Sequence, residues 1–455
     1  MSQNSFTETR SIEPIPDNER HGSIFSQFTL WMGANLQITA VITGALTIVF
    51  GGDVFWSLIG LAIGQVAGGI VMALHAAQGP KLGIPQMISS RVQFGVYGAC
   101  LPILLVCLMY LGFIATGAVL SGQAISAIFG ISETSGIIIF AVATLIIAYT
   151  GYRLIHLMGK LASLIGIIAF VWLFWKMGTL HPLSELLTVQ PFHWATLLTA
   201  VGLSASWQIT FGPYVADYSR YLPASTSSRK VFFAVGGGSV IGAQVAMTMG
   251  VFAAALSQGK LMGHEVEYIV SLGGTGGVAI LLYLSIAFGK LTINTLNAYG
   301  SMMCLATVYN CRGRVAHLSQ LARLFILAAV IIVATGLAMI GQHSFLSAFK
   351  SFLLFLLTFF TPWSAVNLVD YYFFNHQSID IAALNNPAGK YRAWNAVGLG
   401  TYLLGVIVQT PFIDSGFYSG PMVKVLGGVD ISWIIGLLLP AIVYYWLRKR
   451  ESARD

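Results

Sequence analysis

The amino-acid sequence predicts an all-α polytopic membrane protein with twelve transmembrane helices. Of its 455 residues, 56% are hydrophobic and only 9% are charged, whereas about 25% of the residues in a soluble domain are charged. A helix needs about 20 mainly apolar residues to cross the hydrocarbon core of a bilayer. Twelve such runs, called segments 1 to 12, lie near residues 27–50, 54–77, 94–128, 134–151, 155–178, 194–221, 230–256, 274–307, 318–341, 345–374, 393–413 and 427–447.

The net charge of +7 reflects membrane topology rather than a nucleic-acid partner. With both termini on one side, 18 of the 23 Lys and Arg residues fall on that side, and the opposite connections hold only Lys176, Lys260 and Lys424. Positive residues concentrate in cytoplasmic loops. We therefore expect a multi-pass protein of the cytoplasmic (inner) membrane with both termini in the cytoplasm.

The predicted organisation is a transport core between short tails. It comprises a cytoplasmic N-terminal tail (1–25), a ten-helix core (26–376), two additional transmembrane helices (377–447) and a cytoplasmic tail (448–455). The first 25 residues are polar and charged, so no cleavable signal peptide is expected. The cysteines lack metal-ligand spacing and are expected to pack as apolar side chains. They are Cys100, Cys107, Cys304 and Cys311.

Segments 1 and 6 are interrupted at matching positions of two five-segment halves. Segment 6 contains Gly212 and Pro213, and a proline inside a helix removes a backbone donor and frees a carbonyl. Transporters with inverted repeats carry discontinuous helices at such positions. We therefore expect a five-plus-five inverted repeat, with ordinary kinks as the alternative. The residues that interrupt segment 1 are Gly33, Asn35, Gln37, Thr39 and Thr43.

Segment 8 has a polar centre, SIAFGKLTINTLNAYG. At about 100° per residue, Lys290, Asn294 and Asn297 lie near one line of the helix. A central membrane lysine costs about 2.5–3.5 kcal/mol, unless it faces polar groups or a cavity, or loses its proton. Asparagines can read the edge of a heterocycle, and amide bonds between helices are the alternative. The pattern favours a substrate and coupling site, whereas snorkelling is the alternative for Lys290 and the expectation for Lys350.

Four motifs resemble the purine–cytosine permease family of nucleobase–cation symporters. They are SIEPIPDNER before segment 1, GPKLGIPQMISSRVQFGVYGA between segments 2 and 3, VADYSRYLP after segment 6 and VDYYFF at the end of segment 10. The resemblance implies a LeuT-like fold, with ten core helices in two inverted repeats and two C-terminal helices. It also implies alternating access around a flat heterocycle bound between segments 1, 3, 6, 8 and 10.

The resemblance implies particular substrate-binding residues. The family's asparagine pair before a tyrosine in segment 8 matches Asn294 and Asn297. Segment 3 has Phe113 and Gly117 where the family usually has a tryptophan and an amide, which favours a larger or less polar heterocycle in the space at Gly117. The other expected contacts are Asn35 and Gln37 in segment 1, and Trp207, Gln208 and Phe211 in segment 6.

The resemblance also implies a coupling-ion site beside the first broken helix. Ile293 stands where sodium-coupled relatives have a second hydroxyl, and Lys290 is nearby. We therefore expect either H+ or Na+ as the coupling ion, with the Lys290 ammonium standing in for the cation or titrating as the proton site. The expected coupling positions are Gly33, Leu36, Gly289, Thr292 and Lys290.

Two acidic residues end helices in similar strings, ADYSRY and VDYYFF. Asp217 and Arg220 are separated by about one helical turn, which favours an end cap or an inner-gate ion pair over a proton relay. Pro213 and Asp370 are assigned the same gating or structural role.

The sequence predicts a symporter that imports a nucleobase-like heterocycle of the cytosine or purine class. The alternatives are a carrier of hydroxymethylpyrimidine, a vitamin B6-like compound, hydantoin or allantoin, and a membrane substrate sensor. No Walker loop, metal-binding spacing of histidines or nucleophile constellation is present, so neither an enzyme nor a cofactor is expected beyond the coupling ion. Both a monomer and an oligomer are compatible with the sequence.

Overall fold

The computed structural model describes residues 14–150, 152–187, 189–310, 319–416 and 418–453. Cys311, half of the predicted N-terminal tail and the last two residues lie outside these ranges. A helix is present at each of the twelve predicted positions, which confirms the all-α fold class. The helices are α1a Ile24–Asn35, α1b Ile38–Val49, α2 Val54–Ala76, α3 Cys100–Phe129, α4 Glu133–Thr150, α5 Tyr152–Leu180, α6a Trp194–Ile209, α6b Gly212–Ser219, α7 Ser228–Ser257, α8 Gly277–Asn310, α9 Gln320–Gly341, α10 Phe345–Val369, α11 Ala396–Gln409 and α12 Ser432–Ser452.

Several helical stretches are long and apolar enough to cross a membrane. Within the described ranges there are six by length and composition, or seven if the bent pair α1a and α1b counts as one span. One of the six, Gln320–Phe374, contains both α9 and α10. The helices α4 and α11 are apolar but shorter.

The predicted breaks in α1 and α6 are confirmed. Leu36 and Gln37 leave the helical conformation, with Gln37 extended at φ −144° and ψ 156°, and α1a and α1b meet at 56°. Between α6a and α6b the chain turns at Thr210 and Phe211. Pro213 has no N–H to donate to the Ile209 carbonyl, which interrupts the hydrogen-bond ladder there.

The two halves pack through glycines that admit close backbone contact. A Cβ atom at Gly44 of α1b would lie 2.0 Å from the Met247 carbonyl oxygen, and one at Gly250 of α7 would lie 1.7 Å from that of Val41. Small residues at helix interfaces allow such approaches in membranes. The helix α6a packs along α2, α3 packs along α8, and α11 and α12 pack on α10.

Candidate substrate and coupling site

Aromatic side chains from three helices meet beside the breaks in α1 and α6. The ring of Phe113 on α3 packs edge-on against Trp207 on α6a, with 6.2 Å between centroids, and against Phe352 on α10 at 5.2 Å. Trp207 packs edge-on against Phe211 at 5.7 Å. Such surfaces suit a flat ligand. With Gly117 and Asn294 described next, Phe113, Trp207 and Phe211 form what we call the substrate layer.

Asn294 on α8 supplies the polar part of this layer. Its side-chain nitrogen donates to the Ile114 carbonyl on α3 over 2.9 Å, and its side-chain oxygen is buried without a partner among the described residues. A Cβ atom at Gly117 would lie 2.1 Å from that oxygen. The expectation of free space at Gly117 is therefore wrong in this conformation, because the Asn294 amide lies there.

Asn35 and Gln208 belong to a buried chain of hydrogen bonds behind the layer. The Trp207 indole N–H donates to the Asn35 side-chain oxygen over 2.6 Å, and the Asn35 nitrogen donates to the Ser239 hydroxyl over 3.0 Å. Ser239 donates to Gln208 over 2.7 Å, and Gln208 donates to Gln65. The expected ligand contacts of Asn35 and Gln208 stay predictions. In this structure these polar atoms bond to protein partners, and Asn35 positions Trp207 directly.

The remaining amides predicted for the site lie on either side of the layer. Asn297 follows Asn294 by nearly one turn of α8, and 9% of its surface is exposed. Gln37 lies at the break of α1, where its side-chain nitrogen donates to the Ala34 carbonyl over 3.0 Å. The oxygen of Gln37 faces α8 and accepts a hydrogen bond there, so Gln37 joins the predicted coupling position.

Lys290 reaches from α8 into the break of α1. Its Nζ atom donates to the Thr39 hydroxyl over 2.7 Å and to the Gln37 side-chain oxygen over 3.2 Å. The lysine is only 2% exposed. A cavity of 60 Å³ adjoins it, and among the described residues none of the others that line it is ionisable. Both hydrogen-bond partners of the ammonium are neutral, and they lie at the N-terminal end of α1b, where the helix dipole is positive.

The other predicted coupling positions surround the same break. Leu36 donates its N–H to the Gly33 carbonyl over 3.1 Å, and the Thr292 hydroxyl donates to the Phe288 carbonyl of its own helix over 3.1 Å. Gly289 lines the 60 Å³ cavity together with Leu36 and Lys290. The structure thus brings α1 and α8 together at the predicted coupling position.

The predicted gating residues lie at helix ends. The Asp217 carboxylate of α6b accepts the Gln86 backbone N–H over 2.7 Å, and the Arg220 Nε atom donates to the Asp217 carbonyl over 3.3 Å. The first contact ties the end of α6b to the connection between α2 and α3. Pro213 is the second residue of the same short helix.

Asp370 is buried at the end of α10. Its carboxylate accepts hydrogen bonds from Gln93 over 2.8 Å, Asn375 over 2.6 Å and Tyr444 over 3.0 Å. The Arg448 Nε atom lies 3.6 Å from the same carboxylate. Asp370 therefore joins α10 to α12 and to the connection between α2 and α3.

Some site residues were not among the sequence predictions. Thr39 is the shorter-range acceptor for Lys290, Phe352 completes the aromatic packing, and Ser239 and Gln65 complete the chain behind Trp207. Gln65 and Ser239 are polar residues within apolar segments, a signal that marks them as candidates. Nothing in the local sequence identifies Phe352, because phenylalanine is common throughout segment 10.

Two broken helices around a buried aromatic and amide layer are the architecture of the LeuT-like fold. The chain belongs to the family described as permeases for cytosine/purines, uracil, thiamine and allantoin, which matches residues 14–436. It is therefore a polytopic membrane permease.

Relatives and solved structures agree with this assignment. A putative purine-cytosine permease, YxlA, of Bacillus subtilis is 36% identical over 97% of this chain and 96% of its own. The purine-cytosine permease fcyB of Emericella nidulans is 23% identical over 98% and 89%. The nucleobase-cation-symport-1 transporter Mhp1, closed with bromovinylhydantoin bound, has a TM-score of 0.74 at 19% identity over 98% and 96%. Its inward-facing conformation has a TM-score of 0.76 at 18% identity over 99% and 96%, and this likeness shows the fold.

Proposed function

We propose that this permease imports a nucleobase-like heterocycle of the cytosine or purine class across the cytoplasmic membrane, with both termini in the cytoplasm. The proposal is supported by the family, by the purine-cytosine permeases among its relatives and by the asymmetry of Lys and Arg along the chain. The observation that carries it is the unpaired Asn294 oxygen inside an aromatic layer.

The layer has the chemistry that a small flat heterocycle requires. Phe113, Trp207 and Phe211 offer ring faces and edges that bind a planar ring. A buried amide oxygen without a partner costs about 1–3 kcal/mol, and a ligand N–H would remove that cost. Cytosine and the purines bear N–H groups at their edges, so binding one would satisfy Asn294 while the aromatic rings cover its faces.

We further propose that Lys290 takes the place of a bound metal cation and carries the coupling proton. The residues present do not fit a sodium ion well. Residue 293 is an isoleucine and has no oxygen to offer such an ion. The Gly33 carbonyl and the Thr292 hydroxyl each already make one hydrogen bond, to the Leu36 N–H and the Phe288 carbonyl, and keep only their remaining lone pairs for a cation. When Lys290 is protonated its ammonium lies beside the break, and it would repel a second cation.

A proton on Lys290 would link the coupling position to the conformation of α1. The protonated lysine donates to Thr39 and Gln37 at the start of α1b and holds that end of the broken helix against α8. Loss of the proton removes the charge and weakens this contact. Proton release on the cytoplasmic side would then free α1 to reset, which is the step that a symporter needs.

Thermal stability of the purified protein against a panel of heterocycles tests the substrate proposal. The panel is cytosine, adenine, hypoxanthine, uracil, allantoin, a hydantoin and hydroxymethylpyrimidine, each in sodium and in choline salts. A ligand present at one hundred times its Kd stabilises the folded state by about 2.7 kcal/mol. We expect cytosine or a purine to raise the unfolding temperature equally in both salts.

Two variants on α8 connect this stabilisation to the layer. Asn294→Ala should reduce the shift well below that of the wild type, because it removes the amide that reads the ligand edge in the substrate layer. Thr295→Val is the matched control, since within the described part of the chain the Thr295 hydroxyl bonds only to the Leu291 carbonyl of its own helix. The substrate assignment fails if allantoin or the hydantoin stabilises the protein and no nucleobase does, or if Asn294→Ala binds as tightly as Thr295→Val.

A further inference from the structure

A second cavity lies beyond the substrate layer, toward the end of α6b. Its volume is 160 Å³, and its walls come from α3, α6b, α8 and the connection between α2 and α3. None of the five layer residues lines it. Its lining includes Asp217, Arg220 and a group of tyrosines. The tyrosines are Tyr110, Tyr214, Tyr218, Tyr221 and Tyr299.

Two of these tyrosines separate the cavity from the layer. The rings of Tyr110 and Tyr214 are 5.7 Å apart between centroids, and Tyr214 is 5.9 Å from Phe211 of the layer. Tyr110 precedes Phe113 by almost one turn of α3. A molecule that leaves the layer toward the α6b end therefore meets the Tyr110 and Tyr214 rings before it reaches the cavity.

The wall of the cavity is held in place by specific contacts. A Cβ atom at Gly300 of α8 would lie 2.7 Å from the Tyr110 ring, so this ring lies directly on the α8 backbone. On the opposite wall, the Asp217 carboxylate accepts the Gln86 N–H. This bond fixes α6b against the connection between α2 and α3. The Tyr110–Gly300 contact and the Asp217–Gln86 bond together hold the walls of the cavity apart.

The lining suits a flat, uncharged solute with N–H and carbonyl groups. Phenol hydroxyls both donate and accept hydrogen bonds, and their rings offer apolar faces. Pockets for drug-sized ligands measure about 300–1,000 Å³, so this smaller cavity matches a single heterocycle without a sugar or a phosphate. The same chemistry is required of the solute in the substrate layer.

We propose that this cavity is a second binding station, which holds the transported heterocycle after it leaves the substrate layer and before its release. The inference rests on the proposed function, since the solute of both sites is the same. The solute must move past the Tyr110 and Tyr214 rings to go from the substrate layer to the second station.

Cys304 provides a native reporter, because it lines the cavity. In a variant that carries Cys100→Ser, Cys107→Ser and Cys311→Ser, Cys304 is the one cysteine left for N-ethylmaleimide to alkylate. Saturating cytosine or adenine should slow this alkylation about tenfold, since occupancy protects by the factor 1 + [L]/Kd. The decisive measurement is made in the Asn294→Ala background. There the substrate layer no longer binds the heterocycle, so a ligand in the layer cannot protect Cys304 indirectly by closing the cavity. Protection that persists there comes from the station itself.

The outcomes separate the station from the proposed function. Protection in the matched Thr295→Val background but not in Asn294→Ala would show a single site and overturn the station. The same conclusion follows if cytosine or adenine raises the unfolding temperature without protecting Cys304. If neither compound stabilises the protein or is taken up, the proposed function is wrong. The proposal of a second station is then wrong as well, because it rests on that function.

Binding stoichiometry provides a measurement that does not depend on Asn294→Ala. Equilibrium dialysis with labelled cytosine and adenine should give two molecules per chain for Cys304→Ala and one for Cys304→Trp, whose side chain fills the cavity. One molecule per chain in both variants would contradict the proposal.

Discussion

The side-chain amide of Gln409 on α11 donates a hydrogen bond to the backbone carbonyl of Thr358 on α10, with 2.9 Å between nitrogen and oxygen. Residue 362, four positions after Thr358, is a proline inside the helix and has no N–H for that carbonyl. Gln409 also donates to the Gly405 carbonyl of its own helix over 2.8 Å. The carbonyl that Pro362 leaves without a helical donor is therefore satisfied from α11, one of the two helices outside the inverted repeat.

Replacing Gln409 by methionine should lower stability by about 1–3 kcal/mol, because the Thr358 carbonyl loses its partner in a buried position. In a Pro362→Ala background the loss should be smaller, since an alanine at that position can donate its own N–H to the Thr358 carbonyl. The thermal unfolding midpoints of the four proteins form a double-mutant cycle. Equal losses of stability in the two backgrounds would show that Gln409 does not hydrogen-bond to the Thr358 carbonyl.

Replacing Asp370 by asparagine should destabilise the protein more than Tyr444→Phe. Gln93 and Asn375 donate to one carboxylate oxygen, while Tyr444 donates to the other and Arg448 lies beside it. An asparagine must turn its N–H₂ group toward one of these sets of donors. Tyr444→Phe removes a single donor, at a cost of about 1 kcal/mol. Unfolding midpoints in the same detergent compare the two variants, and a larger drop for Tyr444→Phe would contradict the assignment.

Adding a methyl group at Gly117 should abolish heterocycle binding in the substrate layer, and so weaken the overall affinity, while the helices stay folded. The new Cβ would lie 2.1 Å from the Asn294 oxygen, so the amide must leave the layer. Gly336→Ala on α9 is the matched control, because its Cβ would meet no atom within 4 Å. Thermal-shift titrations of both variants with cytosine and adenine measure the effect. Wild-type affinity in Gly117→Ala would mean that the Asn294 amide does not read the ligand.

Local sequence features predict the helices and their breaks well. Runs of apolar residues of membrane-spanning length fix the positions of α1 to α12, and Gly212 with Pro213 predicts the turn in α6 because proline lacks an N–H. Lys290 was recognisable because a central membrane lysine needs a polar environment. These signals depend on composition within a single segment.

The partners of the polar side chains depend on packing between distant segments. Asn35 and Ser239 are 204 positions apart, and no local pattern reveals that they share a hydrogen bond. The same limitation explains the error at Gly117, where a missing side chain suggested space. The neighbouring helix α8 fills that space with Asn294, which a reading of segment 3 alone does not show.

Proton-driven uptake by the purified protein in liposomes tests the central claim most directly. With an inwardly directed proton gradient and no sodium, wild-type protein and Lys350→Met should accumulate labelled cytosine or adenine against its gradient. Lys350 is the control because it lies within α10 and its Nζ atom is 4.3 Å from the Phe50 ring centroid, away from the break of α1. Lys290→Met should exchange the solute across the membrane but not concentrate it. Accumulation by Lys290→Met equal to wild type, or accumulation that requires a sodium gradient, would contradict the account.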